Sequence, residues 1–285
     1  MADPVLRPND NNPSVAEAQD LLNRDGAILD ADGSFGPGTA SAVREFQGFH
    51  HLPLTGIVDA ATWQALRALP EPSPDIPTRS VAFIGREEVG GRDYYDRVVS
   101  RPTWPGGDSG VTIGIGYDLG YQSNFEADWA GFLSAQQIAA LRPWVGIKGA
   151  PAEPGKATLA AISIPWRAAW TAFIRRTLPQ NVTLTRNTFT NSSALPPVCL
   201  GVLVSLIYNR GAAMSDSPPG SGNRTEMREI RDAIAAGQFD MVPGFLRSMK
   251  RLWAPTSGLV GRREREAVLF EQGLAQERAA TRPSG

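Results

Sequence analysis

Four prolines between residues 70 and 77 are the feature that most constrains the fold of this 285-residue chain. The segment runs Leu69-Pro-Glu-Pro-Ser-Pro-Asp-Ile-Pro77. Because proline lacks a backbone N–H and has a fixed φ, such a run disfavours helix and strand pairing and favours an extended spacer. The sequence therefore predicts two domains, at residues 1–69 and 80–285, joined by a proline-rich linker at residues 70–79.

The scarcity of histidine and cysteine limits the chemistry that the larger domain can perform. The chain has two histidines, His50 and His51, and a single cysteine, so residues 52–285 contain no imidazole. A Ser-His or Cys-His pair would have no base there, a zinc hydrolase site would lack its usual ligands, and no internal disulfide can form. We therefore expect no metal and no cofactor, with carboxylates as the catalytic groups if this domain is an enzyme.

Hydropathy and charge narrow the expected location and partners. The N-terminus lacks the basic start and apolar run of a signal peptide. The longest apolar stretch, residues 198–208, is far shorter than the roughly 20 residues of a membrane span. We expect a soluble protein, a monomer, that has neither nucleic acid nor a membrane as its partner.

The first 70 residues contain an internal repeat. Residues 33–43 recur at residues 56–66, each copy having a glycine turn, an apolar residue and a helix start. Pro37 suits the first position of a helix, and Asp59 suits an N-cap. With an earlier apolar stripe at helical spacing from Val15 onward, the repeat predicts a small, all-α, three-helix domain. A domain of this size is more often a binding module than a catalyst.

The run from Val15 to Leu66 closely resembles the peptidoglycan-binding domain found beside cell-wall hydrolases. The stretches DGSFGPGTASAVREFQ and LTGIVDAATWQAL carry this resemblance. It implies a shallow groove that binds cell-wall polymer, and so peptidoglycan as the partner. It identifies no individual ligand residue.

The second domain opens with a predicted helix that ends in a candidate general acid. Ser80 can cap its start and Gly90-Gly91 can end it. Val81, Ile84 and Glu88 share one stripe, so Glu88 is expected to face inward. A carboxylate in the last turn faces the negative end of the helix dipole, and partial burial adds desolvation. Both effects favour the protonated form that a general acid requires.

Residues 111–118 alternate strictly between apolar and small or polar side chains, which predicts a half-buried strand. Its open face has Gly114 and Gly116 between Thr112 and Asp118. A bare glycine face suits the close approach of a sugar chain, although a tight turn or close packing explains it as well.

The spacing of the two polar residues presents a geometric difficulty. An ideal strand would separate Thr112 and Asp118 by about 20 Å. Both can serve one reacting centre only if the chain bends at Gly114 or Gly116. Otherwise Asp108, in the preceding glycine-rich loop, is the better second carboxylate.

Four ordered segments together resemble the phage-type lysozyme superfamily, and the wording GGDSGVTIGIGYDLGY is closest to its pesticin-like branch. They are the helix that ends at Glu88, the TIGIGYDLG stretch, the Asn-x-Gly end of Leu203–Gly211, and the GL-x-x-RR-x-x-E pattern of Gly258–Phe270. The resemblance implies a mainly helical α+β domain with a small β-sheet at the active-site cleft.

Carried over residue by residue, the resemblance makes Glu88 the general acid and Thr112 a residue that holds the attacking water. Asp118 matches the pesticin-like acid after that threonine, whereas the phage enzymes place an aspartate before it. Asp108 lies four residues before Thr112, so the second carboxylate is Asp118 or Asp108, with Asp118 favoured. The cleft residues that we expect beside them are Gly114, Gly116 and Asn209.

The implied function is that of an endolysin of the muramidase type, which cuts the β-1,4 bond between N-acetylmuramic acid and N-acetylglucosamine. A lytic transglycosylase and a non-catalytic wall-binding protein are the alternatives. A peptidase or amidase is disfavoured because the larger domain lacks imidazole. Without a leader, the protein would reach the wall by phage-type release or through a secretion system.

Overall fold

The computed structural model describes residues 3–281, which form a mostly helical protein. The chain divides into two compact units. One contains the residues up to Pro72 together with Gly85–Leu178, and the other contains Ser73–Ile84 together with the residues from Pro179 onward. The division into domains at residues 70–79 stays a prediction.

The N-terminal part of the first unit has the three predicted helices: α1 (Pro13–Arg24), α2 (Pro37–Phe49) and α3 (Ala60–Arg67). Pro37 is the first residue of α2, and the Asp59 side chain caps α3 by accepting a hydrogen bond from the Thr62 amide at 2.9 Å. The helices share one core, which includes Val15, Leu22, Phe35, Val43, Phe46, Val58, Trp63 and Leu66. The predicted three-helix fold is confirmed.

Two buried glutamines explain the internal repeat. Gln19 accepts a hydrogen bond from the Gly33 amide at 2.9 Å and donates to the Thr39 hydroxyl at 3.0 Å. In the second copy Gln47 makes the same two bonds, at 2.9 Å to the glycine amide and 3.2 Å to the threonine hydroxyl. Each repeat is therefore a turn closed on a helix by one buried amide.

Helix α4 (Thr78–Val89) follows the proline-rich segment and has its first seven residues in the second unit. Its first residue lies two positions before Ser80, so Ser80 is inside the helix, fully buried, and the prediction of a serine N-cap is wrong. The predicted end is confirmed, because α4 stops at Val89 and Gly90 follows with a φ of +70°. Glu88 therefore occupies the last turn.

The rest of the first unit consists of short helices and one small sheet. The helices are α5 (Arg92–Tyr94), α6 (Phe125–Trp129), α7 (Ala135–Leu141), α8 (Pro154–Thr158) and α9 (Trp166–Ala172). Single π-helical turns cover Tyr95–Val99 and Phe173–Thr177, and 3₁₀ turns cover Leu119–Tyr121, Arg142–Trp144 and Ala150–Ala152. Strands β1 (Thr112–Ile113) and β2 (Tyr117–Asp118) pair antiparallel.

The second unit is built around α11 (Pro197–Arg210), whose residues from Val198 to Ile207 are all buried. The helices α10 (Leu178–Thr188), α12 (Thr225–Ala235), α13 (Val242–Ser248) and α14 (Gly258–Ala280) complete it, with 3₁₀ turns at Ser192–Ala194, Phe239–Met241 and Met249–Leu252. At Gly273 of α14 a Cβ would lie 2.8 Å from the Cys199 sulfur, so the two long helices pack closely there.

A buried charged cluster ties α14 to α11. One oxygen of Glu266 accepts hydrogen bonds from Ser205 at 2.7 Å, Arg262 at 3.1 Å and Arg263 at 2.8 Å. Both arginines and the glutamate are at most 3% exposed. The RR-x-x-E pattern of the sequence is therefore a buried ion-pair cluster between two core helices.

The structure confirms the fold class as a small three-helix part and a mainly helical part with a small β-sheet. Across residues 3–281, no helix has the length and apolar character needed to span a membrane.

Candidate active site

The segment 111–118 is a β-hairpin, so the prediction of one continuous strand is wrong. Thr112 pairs directly with Asp118, and Ile113 pairs with Tyr117. Directly opposed residues of an antiparallel pair have their Cβ atoms about 4.5–5.5 Å apart and on the same face. The hairpin therefore removes the separation of about 20 Å that an extended strand would impose, and it brings the two predicted site residues together.

The two glycines form the turn of the hairpin. Gly114 and Gly116 have φ values of +58° and +66°, in the left-handed region that favours glycine. A Cβ on Gly114 would also lie 2.9 Å from the ring of Trp129, so a side chain there would strain both the backbone and the packing. The tight turn and the close packing against Trp129 account for the two glycines. Their role in a substrate cleft stays a prediction.

The two faces of the hairpin differ in burial. Ile113 and Tyr117 are buried in the core of the unit, whereas Thr112 and Asp118 on the other face are half-buried. The Thr112 backbone also pairs with Thr103, through hydrogen bonds of 2.7 and 3.0 Å. No hydrogen bond from the Thr112 hydroxyl to any of residues 3–281 is present, so this hydroxyl can bind a water or a ligand.

Backbone amides hold the Asp118 carboxylate in place. Its Oδ1 accepts hydrogen bonds from the Gly110 amide at 3.0 Å and the Gly120 amide at 2.8 Å, and its Oδ2 accepts from Gly110 at 3.1 Å. Burial raises the pKa of Asp118 above its ordinary value, and the amide bonds and the nearby Lys148 oppose that rise. The carboxylate is thus oriented by the main chain on both sides of the hairpin.

Close backbone contacts explain why glycines flank this carboxylate. A Cβ on Gly110 would lie 2.4 Å from the Gly120 nitrogen and 2.6 Å from Asp118 Oδ1. A Cβ on Gly120 would lie 2.6 Å from Lys148 Cγ and 2.8 Å from the Ile147 carbonyl oxygen. Glycine therefore allows three segments to pack closely: Gly110 before the hairpin, Gly120 after it, and loop 146–149.

The alternative carboxylate, Asp108, has different surroundings. Its side chain is exposed in the loop before the hairpin, and its carbonyl oxygen accepts a hydrogen bond from the Tyr121 hydroxyl at 3.0 Å. Lys148 lies 4.5 Å from the centre of the Tyr121 ring. Of the two aspartates, Asp118 is the one that the structure pairs with Thr112.

Glu88 and Asn209 lie on helix ends in different compact units. Glu88 belongs to the same unit as the hairpin and is half-buried, with its Oε1 atom shielded from solvent. Asn209 belongs to the other unit, where it is half-buried in the last turn of α11 before Gly211. The roles assigned to both residues stay predictions.

Sequence reasoning missed several residues that position the hairpin. The buried Tyr117 hydroxyl donates a hydrogen bond to the Asp128 carboxylate at 2.8 Å, and Asp128 is only 7% exposed. Burial and this bond raise the pKa of Tyr117. The bond between Asp118 and the amide two residues on is an Asx turn, which the Asp-Leu-Gly order could have indicated. Nothing local in the sequence indicates the contact with Asp128.

No cluster of three or more His, Cys, Asp or Glu side chains with the arrangement of a metal site is present within residues 3–281. The arrangement around the hairpin offers instead an oriented carboxylate beside a hydroxyl. Such a pair can orient a water molecule and accept its proton.

Comparison with known proteins gives one family match. Residues 11–66 match the family model described as "Putative peptidoglycan binding domain". The match covers most of the three-helix part and none of the hairpin. No curated protein matches the chain.

Among solved structures, a crystal structure of a Burkholderia AP3 phage endolysin aligns with 97% of this chain and 100% of its own, at 16% sequence identity. The TM-score of this alignment is 0.23. At that score the likeness does not bear on the fold or the function.

Proposed function

We propose that this chain is a cell-wall hydrolase of the endolysin type, with a lysozyme-like catalytic part that cleaves the β-1,4 bond from N-acetylmuramic acid to N-acetylglucosamine. The observation that carries the proposal is the hairpin, which sets Thr112 directly opposite Asp118 in the unit that also contains Glu88. The family match at residues 11–66 supports peptidoglycan as the partner.

In this proposal Glu88 is the general acid. It would transfer its proton to the glycosidic oxygen as the bond to the anomeric carbon breaks. One of its oxygens is already shielded from solvent, so the proton is delivered where bulk water does not compete for it.

Asp118 and Thr112 would act on the attacking water. The amides of Gly110 and Gly120 fix the carboxylate, and the carboxylate oxygens retain lone pairs beyond the three bonds that they accept. Asp118 would take a proton from the water while the Thr112 hydroxyl orients it. A water activated on the face opposite the leaving group inverts the anomeric centre, which requires carboxyls about 6.5–9.5 Å apart.

The test is the variant Glu88→Gln, which keeps the shape of the side chain and removes the acid. We expect it to bind purified sacculi as the wild type does but to release no fragments. Unchanged lysis by Glu88→Gln would overturn the assignment of the general acid.

The products distinguish the proposed reaction from its alternatives. Hydrolysis leaves reducing N-acetylmuramic acid ends, whereas a lytic transglycosylase leaves anhydro ends, and mass spectrometry of digested sacculi separates them. A wall-binding protein without catalysis would bind sacculi and release neither product.

A further inference from the structure

The N-terminal three-helix part is fastened to α9 within the first compact unit. The Arg167 guanidinium donates two hydrogen bonds to the Asp25 carboxylate, at 2.9 and 2.8 Å. The Trp166 indole donates to the Gly26 carbonyl at 2.9 Å. A Cβ on Gly26, whose φ is +89°, would lie 2.8 Å from the Trp170 ring. This contact is thus a close-packed joint.

A second ion pair closes the joint near the end of α4. One nitrogen of Arg92 donates to both oxygens of Glu45 at 2.9 and 2.8 Å, and the other donates to Asp96 at 3.0 Å. The guanidinium also lies 4.8 Å from the centre of the Trp166 ring. Through these contacts with Glu45, Asp96 and the Trp166 ring, Arg92 connects α2 to the segment after Glu88.

Arg92 lines a cavity of about 480 Å³ between α2 and the segment after Glu88. Pockets of about 300–1,000 Å³ are typical of sites for small ligands. One wall is a single face of α2 with small side chains, formed by Gly38, Ser41 and Ala42 together with loop 27–29. The other wall is the segment from Gly90 to Arg97. Both walls belong to the first compact unit.

The lining suits a ligand that is polar and carries both signs of charge. Acidic Asp93 and Asp96 and basic Arg97 line the cavity, together with the exposed ring of Tyr94. A purely apolar ligand would cover charges of both signs and offer them no hydrogen bond of its own. A short peptide with free carboxylate and amino groups would satisfy both signs, and its backbone could lie along the small side chains of α2.

The position of the cavity ties it to the candidate catalytic residue. Gly90 lines the cavity and is two residues beyond Glu88, so their Cα atoms are at most about 7 Å apart. One wall of the cavity therefore begins close to the backbone of Glu88.

We propose that this cavity is a binding site for the peptide stem of peptidoglycan, built jointly by α2 and the segment that follows Glu88. The inference rests on the proposed function and deepens it. In this arrangement the N-terminal part contributes one wall of the substrate site, so binding of the stem selects peptide-bearing glycan for cleavage at the neighbouring bond.

The test fills the cavity from an exposed helix position. In Ser41→Trp the indole occupies the space between the walls, and Arg97→Glu reverses the charge of one wall. Gln64→Trp is the matched control, because Gln64 is also exposed on a helix, α3, and does not line the cavity. Thermal unfolding and near-UV circular dichroism of all three variants establish that they are folded.

Two substrates separate the stem from the glycan. On intact sacculi we expect Ser41→Trp and Arg97→Glu to raise KM on the order of tenfold, equivalent to about 1.4 kcal/mol of binding, while Gln64→Trp equals the wild type. On glycan strands stripped of peptides by an amidase, we expect all of them to match the wild type. An equal loss on both substrates, or no loss on either, would overturn the assignment.

A binding measurement keeps this test independent of catalysis. Calorimetric titration of the wild-type protein with the isolated stem peptide should show binding that Ser41→Trp weakens on the order of tenfold. If the wild type cleaves neither substrate but still binds the peptide in this way, the proposed reaction fails and the site stands. If the peptide does not bind, the site is wrong.

Discussion

Asp118 is predicted to have two separable roles, one structural and one catalytic. Its carboxylate accepts three backbone hydrogen bonds from two buried amides, those of Gly110 and Gly120. In Asp118→Ala both amides lose their acceptor, at a cost of about 1–3 kcal/mol each. Since the variant also removes the cost of burying a charge, we expect a net loss of about 2–4 kcal/mol of unfolding free energy.

Asp118→Asn separates the two roles. Its amide oxygen can take the place of Oδ1, which accepts from both glycine amides. Its NH2 group replaces Oδ2 and loses the weaker bond from Gly110, so the loss should be about 1 kcal/mol. The carboxylate that would accept a proton from water is nevertheless gone. We therefore expect Asp118→Asn to unfold close to the wild-type temperature and to release fragments from sacculi at least about 100-fold more slowly.

Thermal unfolding and fragment release measure the two roles. At about 2–4 °C per kcal/mol, Asp118→Ala should lower Tm by roughly 4–16 °C. The exposed Asp108→Ala is the matched control and should change stability by less than about 0.5 kcal/mol. If Asp118→Asn lowers Tm as much as Asp118→Ala, the hydrogen-bond argument is refuted. If Asp108→Asn loses activity and Asp118→Asn keeps it, Asp108 is the second carboxylate.

The pH dependence of stability provides an independent check. Burial raises the pKa of Asp118 above its ordinary 3.8, so the folded protein binds this proton more tightly than the unfolded chain does. The stability due to that proton is present below pH 3.8 and is lost as the pH rises through the higher folded value. The stability of Asp118→Asn relative to wild type should therefore improve over that window, and a difference that is flat with pH contradicts the shift.

Three further substitutions test the surroundings of the site and the core. Gly110→Ala places a Cβ 2.4 Å from the Gly120 nitrogen, so it should displace the hairpin and reduce fragment release by about 100-fold; normal turnover would contradict the close contact. Glu266→Ala leaves two arginines buried without their carboxylate and should cost about 3–5 kcal/mol in chemical denaturation; a loss below about 1 kcal/mol would show that the cluster is not desolvated. Tyr117→Phe removes the donor to buried Asp128 and should cost about 1–3 kcal/mol, whereas an unchanged Tm would show that this bond contributes nothing.

The N-terminal part was predictable because its signals are local. The start of α2 at Pro37 and the cap of α3 at Asp59 depend only on neighbouring residues, and both are confirmed. The buried amides of Gln19 and Gln47 were not predicted. A glutamine in a helix pattern does not reveal that its side chain closes a turn more than eight residues away.

The hairpin marks the limit of pattern-based prediction. Residues from Val111 to Asp118 alternate between apolar and small or polar side chains, and this pattern led to the prediction of one strand. The same alternation also fits two short strands joined by a tight turn, so the pattern does not distinguish them. Two glycines with positive φ and the ring of Trp129 decide in favour of the turn. Only the pairing of Thr112 with Asp118 makes the two residues neighbours.

The sequence alone determined which chemistry this protein can carry. Its histidines precede residue 52, which left the carboxylates of Glu88, Asp118 and Asp108 as candidates, and its local signals placed the starts of α2 and α3 and the end of α4. Only the tertiary structure decided which aspartate pairs with Thr112, and that α2 and the segment after Glu88 line one cavity. The reason is physical: residue identity and short-range periodicity are properties of the chain, whereas register and close packing depend on contacts between segments distant in sequence.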